Sequence, residues 1–338
     1  MLSLIICSKF PALEKDLLQN IEDTIGIPFE IVNIDNSQGK YNIFEAYNLG
    51  VERAKGEYLC FMHEDIVFHS KNWGKVVENY LSQDFVGALG VAGGNIVLDQ
   101  LDWRFYGFHK VYLIQGIYTE EESPCYSIAY YPPMAKNEPI CQVAAIDGVW
   151  MCFRKDIFKE IRFDDQNFHD FHLYDSDISM QVNKTGRGIF LTQDVLLEHK
   201  SYGTFTSSYK DSLAIFFKKW EKDLPMMKGA IIAKEDINAA LVSAQKAFDE
   251  RLEQDAKLVE LRKVIRAKKT GEKCRDYTPE EMELMDKSSY DFRLRIIKDK
   301  NIPRAVVKEK IKEYANAPYA RKTRKLIMKY FWYRYIKR

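Results

Sequence analysis

Short apolar runs alternate with amphipathic stretches over the first 81 residues, and this alternation restricts the fold more than any other feature. The pattern predicts three buried strands, each followed by a helix. The strands are Leu2–Cys7, Phe29–Ile34 and Glu57–Met62, and the helices are Ala12–Ile25, Asn42–Ala54 and Trp73–Leu81. Strands that alternate with helices at this spacing form βαβ units with parallel strands. We therefore predict an α/β fold with a mostly parallel sheet flanked by helices.

Further segments with strand or helix character follow as far as residue 200. Strand character recurs at Phe85–Val97, Val143–Phe153, Gly188–Leu191 and Val195–Glu198, and a helix over Tyr174–Thr185 is closed by Gly186. Between them, Leu101–Asn137 has no clear period and is rich in Tyr, Pro and Gly. Loops of this length often serve as lids or binding segments. We expect this one either to close over a substrate or to be a structural insertion.

The last third of the chain has a different composition. After Ser212 the sequence becomes helical and charged, with a continuous helix pattern over Asp236–Lys269 and a helix start at Thr278-Pro279. We predict two regions, an α/β domain over residues 1–212 and a helical region over residues 213–338. We expect the helical region to pack either on the sheet or on a second copy of the chain. In the latter case the protein would be a homodimer.

The charge of the chain is unevenly distributed. The 50 Lys and Arg nearly balance 49 Asp and Glu, so the formal net charge is +1 and a surface that coats nucleic acid is excluded. However, residues 319–338 hold eight Lys and Arg, six aromatic residues and no acidic residue, which leaves −7 for residues 1–318. Nucleic-acid binding would use the same composition, but a basic, aromatic segment favours an anionic membrane surface, where each basic residue contributes about 1 kcal/mol. We expect this tail to contact such a surface.

The spacing of the cysteines and the hydropathy pattern indicate where in the cell the protein is located. Six cysteines are scattered without a CxxC pair, which is typical neither of a zinc site nor of a disulfide framework. There is no run of about 18 apolar residues, and the N-terminal MLSLIICSK segment is interpreted as a first strand, not a signal peptide. We predict a cytoplasmic protein that is peripheral at the inner face of the membrane.

Polar side chains follow each of the first three strands. The three segments are Cys7-Ser8-Lys9, Asp35-Asn36-Ser37 and His63-Glu64-Asp65. In open α/β sheets, ligands bind beyond the carboxyl ends of the strands, so we predict a site built from these three segments. The absence of GxGxxG and GxxxxGK[ST] motifs disfavours a Rossmann dinucleotide site and a Walker NTPase.

Three carboxylate or imidazole clusters could carry the chemistry. The carboxylates of His63-Glu64-Asp65 suit Mg²⁺ or Mn²⁺ bound to phosphates, although an acidic turn can equally be a helix cap. In Tyr174-Asp175-Ser176-Asp177, the two carboxylates either supply a general base or cap the helix they open. His199 follows a short strand and is a candidate metal or phosphate ligand.

The order of these segments resembles a known family. The segments that carry the resemblance are Leu4–Lys9, Ile31–Asn36, His63-Glu64-Asp65, Asp147-Gly148, Phe168–Asp177 and His199. Over residues 1–210 the chain resembles inverting GT-A-fold glycosyltransferases of the broad family 2 type, and within them the group with a StrF domain. The resemblance implies a GT-A-type, Rossmann-like sheet and a reaction that uses a nucleotide-sugar donor linked to UDP, GDP or dTDP.

The resemblance also implies roles for individual residues. Around the donor it places Ser8, Asp35 and Asn36 at the nucleobase and ribose, and Glu64 and Asp65 in place of the family's DxD motif. Asp65 and His199 would hold Mn²⁺ or Mg²⁺, and Asp175 would be the catalytic base. On the sugar and acceptor side it places Asp147, Trp150 and His172, with Asp177 as the alternative carboxylate. The sequence departs from the family in reading His-Glu-Asp for Asp-x-Asp, and Tyr174-Asp175 for the usual Glu-Asp pair.

The resemblance thus implies an inverting hexosyltransferase that is metal-dependent and moves a sugar to a hydroxyl of a glycan or lipid-linked acceptor, in cell-surface polysaccharide synthesis. Two alternatives remain open. One is a catalytically inactive protein that binds sugar nucleotides or carbohydrate. The other is a nucleotidyltransferase, although Ser8-Lys9-Phe10-Pro11 is not the glycine-rich, basic phosphate loop that such enzymes carry after the first strand.

Overall fold

A computed structural model describes residues 1–115, 139–201, 203, 205 and 207–282. The basic tail 319–338 and most of the segment Leu101–Asn137 lie outside the described residues, so the predictions made for them are not addressed. The chain forms two compact units, of which the first contains the described residues 1–113, 139–198, 205 and 207–255, and the second contains 114–115, 199–201, 203 and 256–282. No helix among the described residues combines the length and apolarity needed to cross a bilayer.

The centre of the first unit is a seven-stranded, mostly parallel sheet. Its strands in spatial order are β10 (Ile140–Val143), β13 (Gly188–Thr192), β5 (Val86–Gly90), β12 (Trp150–Arg154), β3 (Tyr58–Met62), β1 (Leu2–Ser8) and β2 (Phe29–Asp35). Strands β10 and β12 run antiparallel to their neighbours, and the other five are parallel to one another. This sheet confirms the predicted α/β fold.

Short strands and helices complete the first unit. The short strands are β4 (Ile66–Phe68), β6 (Ala92–Gly94), β7 (Ile96–Val97), β8 (His109–Val111), β9 (Leu113–Gln115), β11 (Ala145–Ile146), β14 (Leu197–His199) and β15 (Met226–Met227). The helices are α1 (Lys15–Ile25), α2 (Ile43–Arg53), α3 (Trp73–Leu81), α4 (Tyr174–Lys184), α5 (Ser207–Trp220) and α6 (Lys234–Thr270), with 3₁₀ turns at Trp103–Phe105 and Lys155–Lys159. Helix α6 continues into the second unit.

Helix α2 illustrates how local sequence sets an element. Asn42 caps it: its side chain accepts the N–H of Glu45 at 3.0 Å, and the Glu45 carboxylate accepts the N–H of Asn42 at 2.9 Å. Such a cap contributes about 1 kcal/mol. Gly50 then allows the helix to approach the sheet, because a Cβ at this position would overlap the side chain of Ile5 on β1. The sheet and its helices therefore enclose a continuous apolar core that fixes the strand ends.

The register of the sheet brings the polar strand ends together. Ser8, the last residue of β1, is the register partner of Asp35, the last residue of β2. On the other side of β1, Ile5 pairs with Phe61, so that β3 ends beside the end of β1. The predicted site edge is therefore formed where three parallel strands finish and their side chains leave the core.

The second unit contains the C-terminal part of α6 and the residues that follow it. Leu261 is buried there against Ile265 and Tyr277. Thr278 and Glu281 form a capping box in which Oγ1 of Thr278 accepts the N–H of Glu281 at 3.1 Å and the Glu281 carboxylate accepts the N–H of Thr278 at 2.8 Å. This arrangement agrees with the helix start predicted at Thr278.

Candidate functional site

The ends of β1 and β3 are joined by side-chain hydrogen bonds. The buried Ser8 hydroxyl donates to the carboxylate of Glu64, and the backbone N–H of Lys9 donates to the other Glu64 oxygen at 3.3 Å. Phe10 in turn donates its N–H to the Ser8 hydroxyl oxygen at 3.0 Å. Two of the predicted donor-binding residues, Ser8 and Glu64, are thus in direct contact.

The end of β2 contributes one exposed carboxylate and one bridging amide. Asp35 is exposed, and the hydrogen bond that it accepts from the N–H of Ser37 lowers the pKa of its carboxyl group. Asn36 holds the following loop, because its side chain exchanges two hydrogen bonds with the backbone of Tyr41, at 2.8 and 2.9 Å. Asp35 is therefore accessible to a ligand, whereas the amide of Asn36 is engaged in shaping the loop.

His63 and Asp65 follow β3 directly and belong to a group of side chains that could bind a cation. The ligand atoms of His63, Asp65 and His199, the last residue of β14, all lie within 4.8 Å of one another. One carboxylate and two imidazoles form a donor set that Mn²⁺ accepts. Glu64, which lies between the first two, is turned toward Ser8 and is not part of this group.

Asp175 lies in the first turn of α4 and is almost completely buried, with 4% of its surface exposed. One carboxylate oxygen, Oδ2, accepts the N–H of Gly148 at 2.9 Å and a short hydrogen bond from Arg104. The other, Oδ1, accepts the N–H of Ser176 at 2.7 Å. Burial raises the pKa of Asp175 above its ordinary value, and the positive charge of Arg104 opposes this change.

Arg104 links Asp175 to Asp147, another residue predicted from the sequence. Its Nε and Nη2 atoms donate to Oδ2 of Asp147 at 3.2 and 3.0 Å, while its Nη1 atom donates to both oxygens of Asp102 at 3.0 and 2.9 Å. Neither Arg104 nor Asp102 was predicted as a site residue. The available signal was the irregular segment that begins at Leu101, but its sequence does not reveal partners 43 and 71 positions away.

The hydrogen bond between His63 and Tyr174 connects the strand-end residues to the carboxylate cluster. His63 Nε2 lies 2.9 Å from the Tyr174 hydroxyl, and Tyr174 immediately precedes Asp175. Metal-binding histidines commonly use one ring nitrogen for the ion and the other for a hydrogen bond of this kind. Gly148 makes room for the arrangement, because a Cβ there would overlap the Tyr174 ring. The chain thereby brings a carboxylate–imidazole group and a buried carboxylate into one connected network.

The remaining predicted residues are placed differently. His172 is partly buried with its ring against Tyr209, and burial lowers the pKa of its imidazole. Trp150 has no exposed surface and its ring meets Trp73 edge-on in the core. Since a sugar cannot reach a side chain without exposed surface, this placement favours packing over the acceptor contact predicted for Trp150.

Asp177 is enclosed by partners from α5 and from its own helix, α4. Its carboxylate lies 2.7 Å from Lys219 Nζ and accepts hydrogen bonds from Trp220 Nε1 and Gln181 Nε2, both at 2.8 Å. Burial raises the pKa of Asp177, and Lys219 opposes this change. These contacts favour a structural role that fastens α5 to α4, so that Asp175 is the better candidate for a base.

Replacing Lys219 with methionine should therefore destabilise the fold. Asp177 would be left as a buried charge without its partner, which typically costs about 3–5 kcal/mol in the free energy of unfolding. The loss should shrink as the pH falls, since a protonated Asp177 needs no counter-charge. Chemical denaturation measures both effects, with exposed Lys218→Met as the control, for which a change within about 0.5 kcal/mol is expected. Equal losses for the two variants would contradict the assignment.

Comparisons with known proteins identify the family to which the sequence is similar. A family model described as a glycosyltransferase-like family matches residues 3–220. None of the curated proteins matches the chain. Among solved structures, GalNAc-T7 with UDP, GalNAc and Mn²⁺ is 11% identical, with a TM-score of 0.43, over 75% of this chain and 57% of that one. The catalytic domain of Drosophila β1,4-galactosyltransferase 7 in complex with xylobiose is 12% identical, with a TM-score of 0.33, over 57% and 64%. The protein A197 from STIV is 11% identical, with a TM-score of 0.34, over 59% and 84%.

Proposed function

The chain belongs to the glycosyltransferase-like family, and from this premise we propose that it moves a sugar from a nucleotide-sugar donor to a hydroxyl group of a glycan or lipid-linked acceptor, with inversion at the anomeric carbon. The observation that carries the proposal is the His63–Tyr174 hydrogen bond, which ties the strand-end residues to the segment that bears Asp175. This hydrogen bond supports the proposal because it links the proposed diphosphate site to the helix turn that bears the proposed base.

In the proposed reaction, Asp175 removes the proton from the acceptor hydroxyl. The acceptor oxygen then forms a bond to the anomeric carbon, while the bond from that carbon to the diphosphate oxygen breaks and its electron pair leaves with the nucleoside diphosphate. Attack from the face opposite the leaving group inverts the anomeric centre. Among the residues that the structure describes, Oδ1 of Asp175 accepts one hydrogen bond, from the N–H of Ser176, so a second lone pair on this oxygen can take the proton.

Donor binding is assigned to the ends of the first three strands. Asp35 and Ser8 would contact the nucleoside, with Glu64 held in position by the Ser8 hydroxyl. His63, Asp65 and His199 would hold Mn²⁺ or Mg²⁺, a set that adds His63 to the two ligands predicted from the sequence. A cation bound there supplies electrostatic stabilisation of the charge that develops on the diphosphate.

The finer features of the function are proposals of the same kind. Within the family we propose the group with a StrF domain, and as the pathway cell-surface polysaccharide synthesis. A lipid-linked acceptor would agree with the basic, aromatic composition of residues 319–338, which suits the cytoplasmic face of a membrane. The helical region after residue 212 is the proposed dimer surface.

The proposal predicts the outcome of a calorimetric panel of UDP-, GDP- and dTDP-sugars, measured with and without Mn²⁺. We expect one nucleotide class to bind, more tightly with Mn²⁺ than without it, because the cation screens the diphosphate from Asp65. Chromatography of the same mixtures should then reveal free nucleoside diphosphate and a glycosylated product once acceptors are added.

Other outcomes of this panel would favour the alternatives. Binding without hydrolysis or transfer would indicate a carbohydrate-binding protein without catalytic activity. Release of pyrophosphate from a nucleoside triphosphate and a sugar phosphate would indicate a nucleotidyltransferase.

A further inference from the structure

Arg104 is the centre of a partly buried ionic cluster. Its guanidinium group contacts three carboxylates, those of Asp102, Asp147 and Asp175, while 25% of its side chain is exposed. Asp102 both caps the 3₁₀ turn that carries Arg104, by accepting its backbone N–H at 2.9 Å, and binds Nη1 with two oxygens. The side chain of Arg104 is thus fixed at its base and at its tip.

We propose that Arg104, held in place by Asp102, is the positioning residue for Asp175, and this inference rests on the proposed function, in which Asp175 is the base. Arginine suits the task because its planar fork is always charged and sets the direction of each hydrogen bond. Together with Gly148, it uses both lone pairs of Asp175 Oδ2. The carboxylate therefore cannot rotate freely, and the inference assigns proton transfer to its other oxygen, Oδ1.

Arg104 also keeps the carboxylate ionised. Burial raises the pKa of Asp175, Arg104 lowers it, and the negative charges of Asp147 and Asp102 raise it again. Other ionisable groups in this surrounding include Tyr47, Tyr174, Tyr209, His172 and His109. Without Arg104, burial and the two neighbouring carboxylates still raise the pKa of Asp175, and the hydrogen bond from the Gly148 N–H remains to lower it. The balance then shifts toward the protonated acid, and a protonated Asp175 cannot accept a proton.

The kinetic test compares Arg104→Gln, Arg104→Lys and Asp102→Asn. We expect R104Q to lower kcat by about 100-fold, as misplacement of a reacting group does, with an unchanged KM for the donor. The acidic limb of its pH–kcat profile should move to higher pH. R104K should restore the position of that limb better than it restores kcat, because lysine keeps the charge but not the fork.

The matched control is Arg154→Gln. The side chain of Arg154 has the same exposed fraction, 25%, and it pairs with two carboxylates, those of Asp84 and Asp156, where Arg104 pairs with three. It ends β12 beside Tyr58, the first residue of β3, and therefore lies at the edge of the sheet opposite the site. A merely structural arginine at position 104 would behave as R154Q does, with a change in stability but no movement of the pH profile. If Asp102 acts through Arg104, the double variant D102N/R104Q should be no slower than R104Q.

A direct titration separates this inference from the proposed function. The protein is labelled with ¹³C at the carboxyl carbon of aspartate, and the NMR signal of Asp175 is assigned by its absence in D175N. The change of this signal with pH gives a titration curve for Asp175 without any substrate. The midpoint of this titration should lie at a higher pH in R104Q than in the wild type, and an unchanged midpoint would overturn the inference. If the midpoint moves but D175N transfers sugar at the wild-type rate, the positioning role stands and the assignment of Asp175 as the base fails.

Discussion

Replacing Asp175 with asparagine is expected to lower the rate of sugar transfer by about 10²–10⁴-fold, the range typical of a lost general base. The amide keeps the size of the side chain and can still accept the N–H of Gly148, but it cannot take a proton from the acceptor. Because the donor contacts are assigned to other residues, affinity for the nucleoside diphosphate should be retained. Transfer kinetics and calorimetry on the same preparation measure the two quantities.

Asp177→Asn is the informative partner for this experiment. Both carboxylates are buried in the first turn of α4, but only Asp177 is paired with Lys219. We expect D177N to lower the melting temperature while the folded fraction transfers sugar at close to the wild-type rate. The assignment of the base would be reversed if D177N abolished transfer and D175N did not.

Much of this architecture could be predicted because its elements have strong local signals. The predicted helix Trp73–Leu81 agrees residue for residue with α3, and the predicted strands β1 and β2 differ from the structure by one residue at their ends. The regular spacing of apolar residues produces these elements and also encodes which face is buried. The position of the site at the strand ends follows from the same pattern, since parallel strands that begin together end together.

The arrangement within the site depends on contacts that no local pattern encodes. Short strands such as β6 and β11, of three and two residues, have too few positions to show a period. The different surroundings of Asp175 and Asp177 come from Arg104 and Lys219, which lie 71 residues before the first and 42 after the second. The burial of Trp150 is another example, because it depends on contact with Trp73 of α3 and not on the sequence of its own strand.

Loss of the Asp65 carboxylate should remove the metal response of the protein. In Asp65→Ala, the group formed with His63 and His199 loses its only charged oxygen ligand, and the cation loses the donor type that Mn²⁺ and Mg²⁺ prefer. Since a bound metal provides several kcal/mol of stabilisation to developing charge, we expect transfer to fall by about 100-fold or more. Chelation of the wild-type protein should cause a similar loss, which added Mn²⁺ should reverse in the wild type but not in D65A.

Glu64→Gln provides a control within the same three-residue motif. The Glu64 carboxylate accepts the Ser8 hydroxyl and the N–H of Lys9, and it is not part of the His63–Asp65–His199 group. Its replacement should therefore leave Mn²⁺ affinity unchanged, as followed by the electron paramagnetic resonance signal of the free ion, while D65A weakens it. If E64Q lost the ion and D65A retained it, the cation would have to be reassigned to the Ser8–Glu64 contact. In that case the motif would bind its metal through the middle residue, and the His63–Tyr174 hydrogen bond would no longer connect the cation to the base.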